Sequence, residues 1–424
     1  MTMTILIILG LLLLTLLGTP LFVIISAVAL LAFHIAEIDS SAVIIELYRL
    51  TSQPVFLAIP LFTFAGYLLA ESNTPKRLFN LSRNLLGWMP AGLALVALIS
   101  CALFTAFTGA SGVTIIALGG LLYPMMLQEQ YPEKFSLGLI TATGNLGLLF
   151  PPSLPIILYG LVAQVPIDQL FLGGIIPGIL MIVLLGAYAI FFYRKHIGGK
   201  ESFRPSRAQL LQALKESAWE IPLPVLIIGG IYGGLFTATD AAAVTAIYVF
   251  IIEVFIYRDI SLFHDLPRVV KKSMIMVGGI IVILAAALGL ANYLNDAEVP
   301  AKILASMQHF IKSPLTFLLF LNVFLLIVGA LMDIFSAIMV IVPLLIPIAN
   351  SFGIHPVHLG IIFLANLGIG YSTPPVGMNL FISSLRFDKS ITFLYRAALP
   401  FLIILLVALL LITYIPQLSL VLVR

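Results

Sequence analysis

Long apolar runs recur from one end of the chain to the other, separated by short basic or Gly- and Pro-rich stretches. A bilayer core needs about 18 or more apolar residues per helix. Blocks at 88–128, 136–163, 170–193, 273–294, 315–349 and 358–382 each meet that length. Further spans are expected at 218–236 and 237–257, with a C-terminal helix in 386–424. Residues 3–33 are long for one upright helix, and Gly18-Thr19-Pro20 divides them into two. They lack a basic opening and a small-residue cleavage site, so they read as retained membrane structure. The pattern predicts an all-α polytopic membrane protein.

Two of these runs are interrupted near their middles. "GNLGLLFPPSLPIILYG" (144–160) carries Pro151, Pro152 and Pro155, and "GIIFLANLGIGYSTPP" (360–375) ends in Pro374-Pro375. A proline inside a helix costs about 3 kcal/mol, because it removes a donor and clashes with the turn before it. In hydrocarbon the released carbonyls find no water. Each double proline therefore predicts a broken helix whose free backbone groups serve a ligand.

Lys and Arg cluster at 76–83, 194–215, 258–272 and 386–396, which the positive-inside rule makes cytoplasmic. Three full crossings between the first two clusters would put them on opposite sides. The conflict disappears if 88–128 is a re-entrant hairpin with its tip at "FTGASG" (107–112), closing at Tyr123-Pro124. The same argument makes 315–349 a second hairpin, entering from the other side, with its tip at "LMDIFSA" (331–337) and its close at Ile346-Pro347. The halves also match in order, at offsets from 221 residues (Asn145 to Asn366) to 225 (Pro75 to Pro300). Inverted repeats with paired interrupted helices point to a secondary transporter with its site at the repeat interface.

The expected organisation is framework helices and an arm in 1–87, then a transport half of hairpin and broken helix in 88–163. More framework follows in 164–314, then the second transport half in 315–385 and a terminal helix in 386–424. Basic amphipathic stretches at 73–88, 202–219 and 261–273 are expected to lie along the inner interface as bracing arms, and Arg49 to be interfacial.

Composition narrows the function classes. With 61% hydrophobic and 9% charged residues in 424, the chain has too little polar surface for a soluble protein. The net charge of +3 sits in membrane-flanking clusters, and no basic patch interleaved with aromatics suggests nucleic acid. Cys101 is the single cysteine, which excludes internal disulfides and Cys-based metal sites. No HExxH, P-loop or Ser-His-Asp spacing appears, so neither a zinc protease nor an ATPase is supported and the energy source is an ion gradient. An intramembrane enzyme would need clustered acids or histidines in its spans, where only Asp333 sits deep; the chain is not read as an enzyme. His355 and His358 flank Pro356 without a third ligand and read as loop residues.

A hard cation needs several oxygens, which unwound backbone supplies without a buried charge. Na⁺ suits such a cradle. The first candidate site joins Thr108, Gly109 and Ser111 of the tip to carbonyls at Gly147, Phe150 and Pro152, with Thr114 nearby. The second joins Asp333 and Ser336 to Gly370, Thr373 and Pro374. An acid inside the membrane is a functional candidate by default, which singles out Asp333. Half-helix N-termini at the breaks suit an anionic group. Asn145, Asn366, Ser153 and Ser372 are the substrate candidates, the two asparagines expected just before the breaks as bridges or ligands. Asp240 reads as a helix cap or inter-helix tie.

"TGASGVTIIALGGLLYP" (108–124), "LFLGGIIPGIL" (170–180), "GGIYGGLFTATDAAAVTAIY" (229–248) and "HPVHLGIIFLANLGIGYSTPPVGMNLF" (355–381) together resemble the large membrane subunit of tripartite ATP-independent periplasmic (TRAP) transporters. The resemblance covers essentially the whole chain. It implies a multi-pass protein of the bacterial or archaeal inner membrane, working as an elevator-type symporter. It implies two partners, a separate four-helix membrane subunit and a soluble periplasmic binding protein. The cargo would be an organic acid anion such as a C4-dicarboxylate or sialic acid, driven by Na⁺, with no other cofactor. Family cation sites would map to Thr108–Gly112 with Gly147–Pro152 and to Asp333–Ser336 with Gly370–Pro374. Ala238, Asp240 and Asn145 depart from the family's usual Pro, Glu and Thr. The alternative is a single-component elevator carrier, such as a divalent-anion/Na⁺ symporter.

Overall fold

A computed structural model describes residues 21–36, 54–198, 205–308, 311 and 313–423, with isolated positions 19, 39, 41, 45 and 48. Arg49 and residues 1–18 lie outside the described residues. The described chain is helical, and seven of its helices are long and apolar enough to cross a membrane.

In the first half, α1 (Leu21–Ile35), α2 (Ala58–Glu71) and α3 (Thr74–Leu86) precede a hairpin of α4 (Gly92–Thr108) and α5 (Ser111–Gln128). The broken helix follows as α6 (Glu133–Thr143), a 3₁₀ turn (Leu146–Leu149) and α7 (Leu154–Ala163), bent by 46°. Next come α8 (Ile167–His196), α9 (Arg207–Glu216), α10 (Pro222–Tyr232) and α11 (Ala238–Ile251), the last prolonged by a π turn to Ile256. The second half holds α12 (Asp265–Asp296), α13 (Val299–Gln308), and a hairpin of α14 (Pro314–Leu331) and α15 (Ile334–Ser351). It ends in α16 (Pro356–Gly370), α17 (Met378–Phe387), α18 (Ile391–Tyr414) and α19 (Gln417–Leu420).

The repeat survives as geometry. Ser111–Gln128 becomes Ile334–Ser351, an advance of 223 residues (334 − 111), and Leu154–Ala163 becomes Met378–Phe387, an advance of 224 (378 − 154). Each hairpin's first arm packs on the first half of its own repeat's broken helix, α4 on the 3₁₀ turn and α14 on α16. Each second arm also packs across the repeat, α5 on α17 and α15 on α7. The two halves are thus interlocked around the two breaks.

The hairpins open toward opposite ends of α18, whose 24 residues span about 36 Å at 1.5 Å per residue. Lys389, just before α18, pairs with Glu133 at 2.6 Å, and Glu133 also accepts from the Tyr123 hydroxyl at the base of the first hairpin. At the other end, the Tyr414 hydroxyl donates to the Leu315 carbonyl at the base of the second hairpin. The tips end at the level of the breaks in 133–163 and 356–387, part-way through neighbouring spans.

Three expectations are corrected. Both second arms continue through their internal prolines, Pro124 in α5 and Pro343 and Pro347 in α15, to Gln128 and Ser351, because a proline inside a long, well-packed helix removes one hydrogen bond without having to end it. Stretch 261–273 is not a separate arm: from Asp265 it forms the first turns of the 32-residue α12. The span expected at 218–236 contains only the 11-residue α10, after turns at 217–221. Asn366 lies inside α16, a turn before that helix ends.

Arms α3 and α9 do form and pack on one another. Arg77 of α3 is their anchor. Its guanidinium pairs with Glu220, with Glu253 at 3.1 Å and with Asp259 at 2.5 Å, and stacks 3.8 Å from the Tyr257 ring centre. Burial alone would lower the Arg77 pKa, but Glu253 and Glu220 beside it drive it above its ordinary value. Burial would raise the Asp259 pKa, yet the Asn73 amide and backbone N–H, with Arg77, hold it below its ordinary value.

Candidate functional site

The first hairpin turns at Gly109, which closes α4 in a left-handed conformation at φ +65° that favours glycine. A Cβ there would fall 2.8 Å from that of Leu154, so the tip sits directly on the start of α7. The Thr108 hydroxyl donates to the Phe104 carbonyl at 3.0 Å, and the Ser111 hydroxyl donates to Asn379 Oδ1 at 2.8 Å. Both hydroxyls send their protons away from the tip and keep oxygen lone pairs in hand, the state a cation ligand needs. Thr114 pairs with Thr105 at 2.6 Å, and Thr105 donates to the Gly144 carbonyl at 2.9 Å.

At the first break Gly147 lies against α4, where a Cβ would come within 2.2 Å of the Ala102 carbonyl oxygen. The Gly147 carbonyl accepts the Phe150 N–H, and the Phe150 carbonyl accepts the Ser153 N–H, each at 3.0 Å. Short local turns have partly satisfied what the prolines Pro151 and Pro152 released.

In the second copy Asp333 caps α15. One carboxylate oxygen accepts the N–H groups of Phe335 and Ser336, each at 3.0 Å, and the other accepts the Ser336 hydroxyl. Tip and break meet, since the Gly377 N–H donates to the Ala330 carbonyl at 3.1 Å and the Ile334 N–H to the Tyr371 hydroxyl at 2.5 Å. Thr373 N–H closes back on the Gly370 carbonyl at 2.9 Å, and the Thr373 hydroxyl donates to Ile369. Pro374 follows within the irregular segment that leads to α17.

A buried polar cluster joins the candidates Asn145, Asn366 and Ser372 to Thr141, Asn379, Ser383 and Asn322, which the sequence did not single out. The Thr141 carbonyl accepts from Asn379 Nδ2 at 3.4 Å and from the Ser372 hydroxyl at 3.5 Å, while the Thr141 hydroxyl donates to Ser383 at 2.9 Å. Asn145 Nδ2 donates to the Gly368 carbonyl, tying one broken helix to the other. Asn366 reaches the second hairpin, donating to Asn322 Oδ1 at 2.7 Å, and Asn322 in turn donates to Thr413. Asn145 Oδ1, Ser153 Oγ and Asn366 Oδ1 are buried with no protein partner. A signal for Asn379 was present, an amide set just past a double proline in an apolar run.

Elsewhere, His355 caps α16, while His358 is buried with Nε2 3.2 Å from the Thr413 carbonyl oxygen. Among the described residues no group of three His, Cys, Asp or Glu could hold a metal ion. Asp240 forms a capping box with Thr237 at the start of α11.

Residues 6–418 match the family model of the tripartite ATP-independent periplasmic transporter, DctM component. The chain belongs to that family. It is 36% identical over 395 residues to the C4-dicarboxylate TRAP transporter large permease protein DctM of Pseudomonas aeruginosa, covering 93% of this chain and 91% of that protein. It is 38% identical over 363 residues to the isethionate TRAP transporter permease protein DctMQ of Oleidesulfovibrio alaskensis, covering 85% of this chain but 56% of the relative's length. The fold resembles that of the Alcanivorax borkumensis YdaH transporter, with a TM-score of 0.63 at 14% identity over 88% of this chain and 87% of that one. The DctM-family chain is therefore a multi-pass membrane permease, and its relatives carry permease names, not those of enzymes.

Proposed function

We propose that this permease imports an organic acid anion across the bacterial inner membrane, driven by Na⁺, with an elevator motion of the interlocked hairpins and broken helices against the framework. It works with a separate small membrane subunit and a periplasmic binding protein that delivers the cargo. Relatives named for C4-dicarboxylate, isethionate and ectoine support a small polar or anionic cargo. The observation that carries the reading is the tie between the broken helices, where Asn145 Nδ2 donates to the Gly368 carbonyl while Asn145 Oδ1 is buried without a protein partner. Ser153 Oγ, at the start of α7, and Asn366 Oδ1, within α16, are likewise unpartnered. Each costs about 1–3 kcal/mol if left unmet, a cost that bound cargo or water removes. The N-termini of α5, α7, α15 and α17 gather at the two tip–break junctions and favour negative charge.

Na⁺ would be cargo at two places. Thr108, Gly109 and Ser111 with the carbonyls of Gly147, Phe150 and Pro152 would form one. Asp333 and Ser336 with Gly370, Thr373 and Pro374 would form the other. Each set offers oxygens only, which suits a hard cation.

Proteoliposomes holding the permease and its small subunit should take up labelled organic acid only with an inward Na⁺ gradient and the soluble binding protein. Uptake without the binding protein would favour a single-component carrier, and indifference to Na⁺ would remove the coupling. In the same assay Asp333→Asn should raise the Na⁺ concentration for half-maximal uptake several-fold; unchanged Na⁺ dependence removes Asp333 from the site.

A further inference from the structure

We propose that Asn379 and Tyr371 are positioning residues that couple the two hairpin tips, so that a cation at one tip raises affinity at the other. This rests on the Na⁺ reading above. A continuous path carries it. The Ser111 hydroxyl donates to Asn379 Oδ1 at 2.8 Å, the Asn379 N–H donates to the Tyr371 carbonyl at 3.0 Å, and the Tyr371 hydroxyl accepts the Ile334 N–H at 2.5 Å. Ile334 follows Asp333, whose carboxylate caps the same helix. Ser111 and Tyr371 are each 4% exposed and Asn379 is fully buried, so water does not replace a link that is cut.

The sense of each bond suits the task. A cation on the Ser111 lone pairs polarises its O–H and strengthens the bond to Asn379. Asn379 is the second residue of α17, anchored on the Tyr371 carbonyl. A firmer hold on it fixes the backbone of the second break, and through the Tyr371 hydroxyl the first residue of α15. Coupling of binding free energies is reciprocal, so a cation at Asp333 favours the first tip equally. The neighbouring bonds of Thr141 to Asn379 and Ser372 join the first broken helix to the same junction.

The test needs Na⁺ alone. Met332→Cys places a thiol at the partly exposed second tip, while the single native cysteine, Cys101, is buried. The alkylation rate of the purified permease is followed as NaCl replaces choline chloride. Protection should rise with a Hill coefficient of about 2, the limit for two coupled sites. Asn379→Ala and Tyr371→Phe, each added to Met332→Cys, should flatten the curve to about 1 while protection persists. Tyr371→Phe keeps the ring and decides the matter if Asn379→Ala does not fold. A curve of coefficient 1 without these changes, or full steepness retained in Tyr371→Phe, overturns the coupling. Alkylation indifferent to Na⁺ instead overturns the underlying Na⁺ reading, a separate failure.

Discussion

Gly147 shows how one missing side chain positions the first break. Its Cα lies so close to α4 that a methyl group would meet the Ala102 carbonyl oxygen at 2.2 Å and the Ala106 nitrogen at 2.5 Å, both backbone atoms that cannot yield. Overpacking of this kind costs about 1–3 kcal/mol or more. Gly147→Ala should therefore lower the thermal unfolding midpoint by several degrees. Gly229→Ala is the control: nothing lies within 4 Å of that exposed position on α10, and replacing a helical glycine gains about 0.5–1 kcal/mol. A wild-type midpoint for Gly147→Ala would show that the 3₁₀ turn is not held against α4. Proline chemistry is local, so the breaks at Pro151 and Pro374 were legible in the sequence. The partners of Asn379 were not, because Ser111 lies 268 residues away and a serine in an apolar run carries no sign of what it will face.

At the scale of elements, the arms depend on Arg77. The basic pattern of 73–88 was legible, yet it cast Arg77 as one more cytoplasmic charge. Its partners sit on three separate segments, and Glu253, an acid inside the apolar run of α11, was the available clue. Removing one partner of a buried ion pair costs about 3–5 kcal/mol, since the other charges stay behind. Arg77→Met should sharply lower the unfolding midpoint, and adding Glu220→Gln and Glu253→Gln should restore most of it. Equal stability of wild type and Arg77→Met would mean that the cluster does not brace the arms. Acid should act here too. The folded Asp259 pKa lies below its unfolded value, so its contribution is complete above the ordinary carboxylate range and fades as pH falls through the folded value. Asp259→Asn should lose stability at neutral pH and show a shallower decline below about pH 4 in the same melting assay.

For the whole molecule, charge counting along the sequence was enough to infer opposed hairpins, and the packing supplies an independent ruler in α18. One hairpin base is tied to its start through Glu133 and Lys389, the other to its end through Tyr414 and Leu315. A helix of that length crosses a hydrocarbon core of about 30 Å, so the bases emerge on opposite faces. Gln128 and Ser351 are equivalent under the repeat, each the last residue of its hairpin and each exposed. A membrane-impermeant maleimide added to intact spheroplasts should label Ser351→Cys, and should label Gln128→Cys only after permeabilisation. Labelling of both from one side would break the inverted relation between the halves. Without that relation the two tips would no longer be exchangeable under a half-turn in the membrane plane.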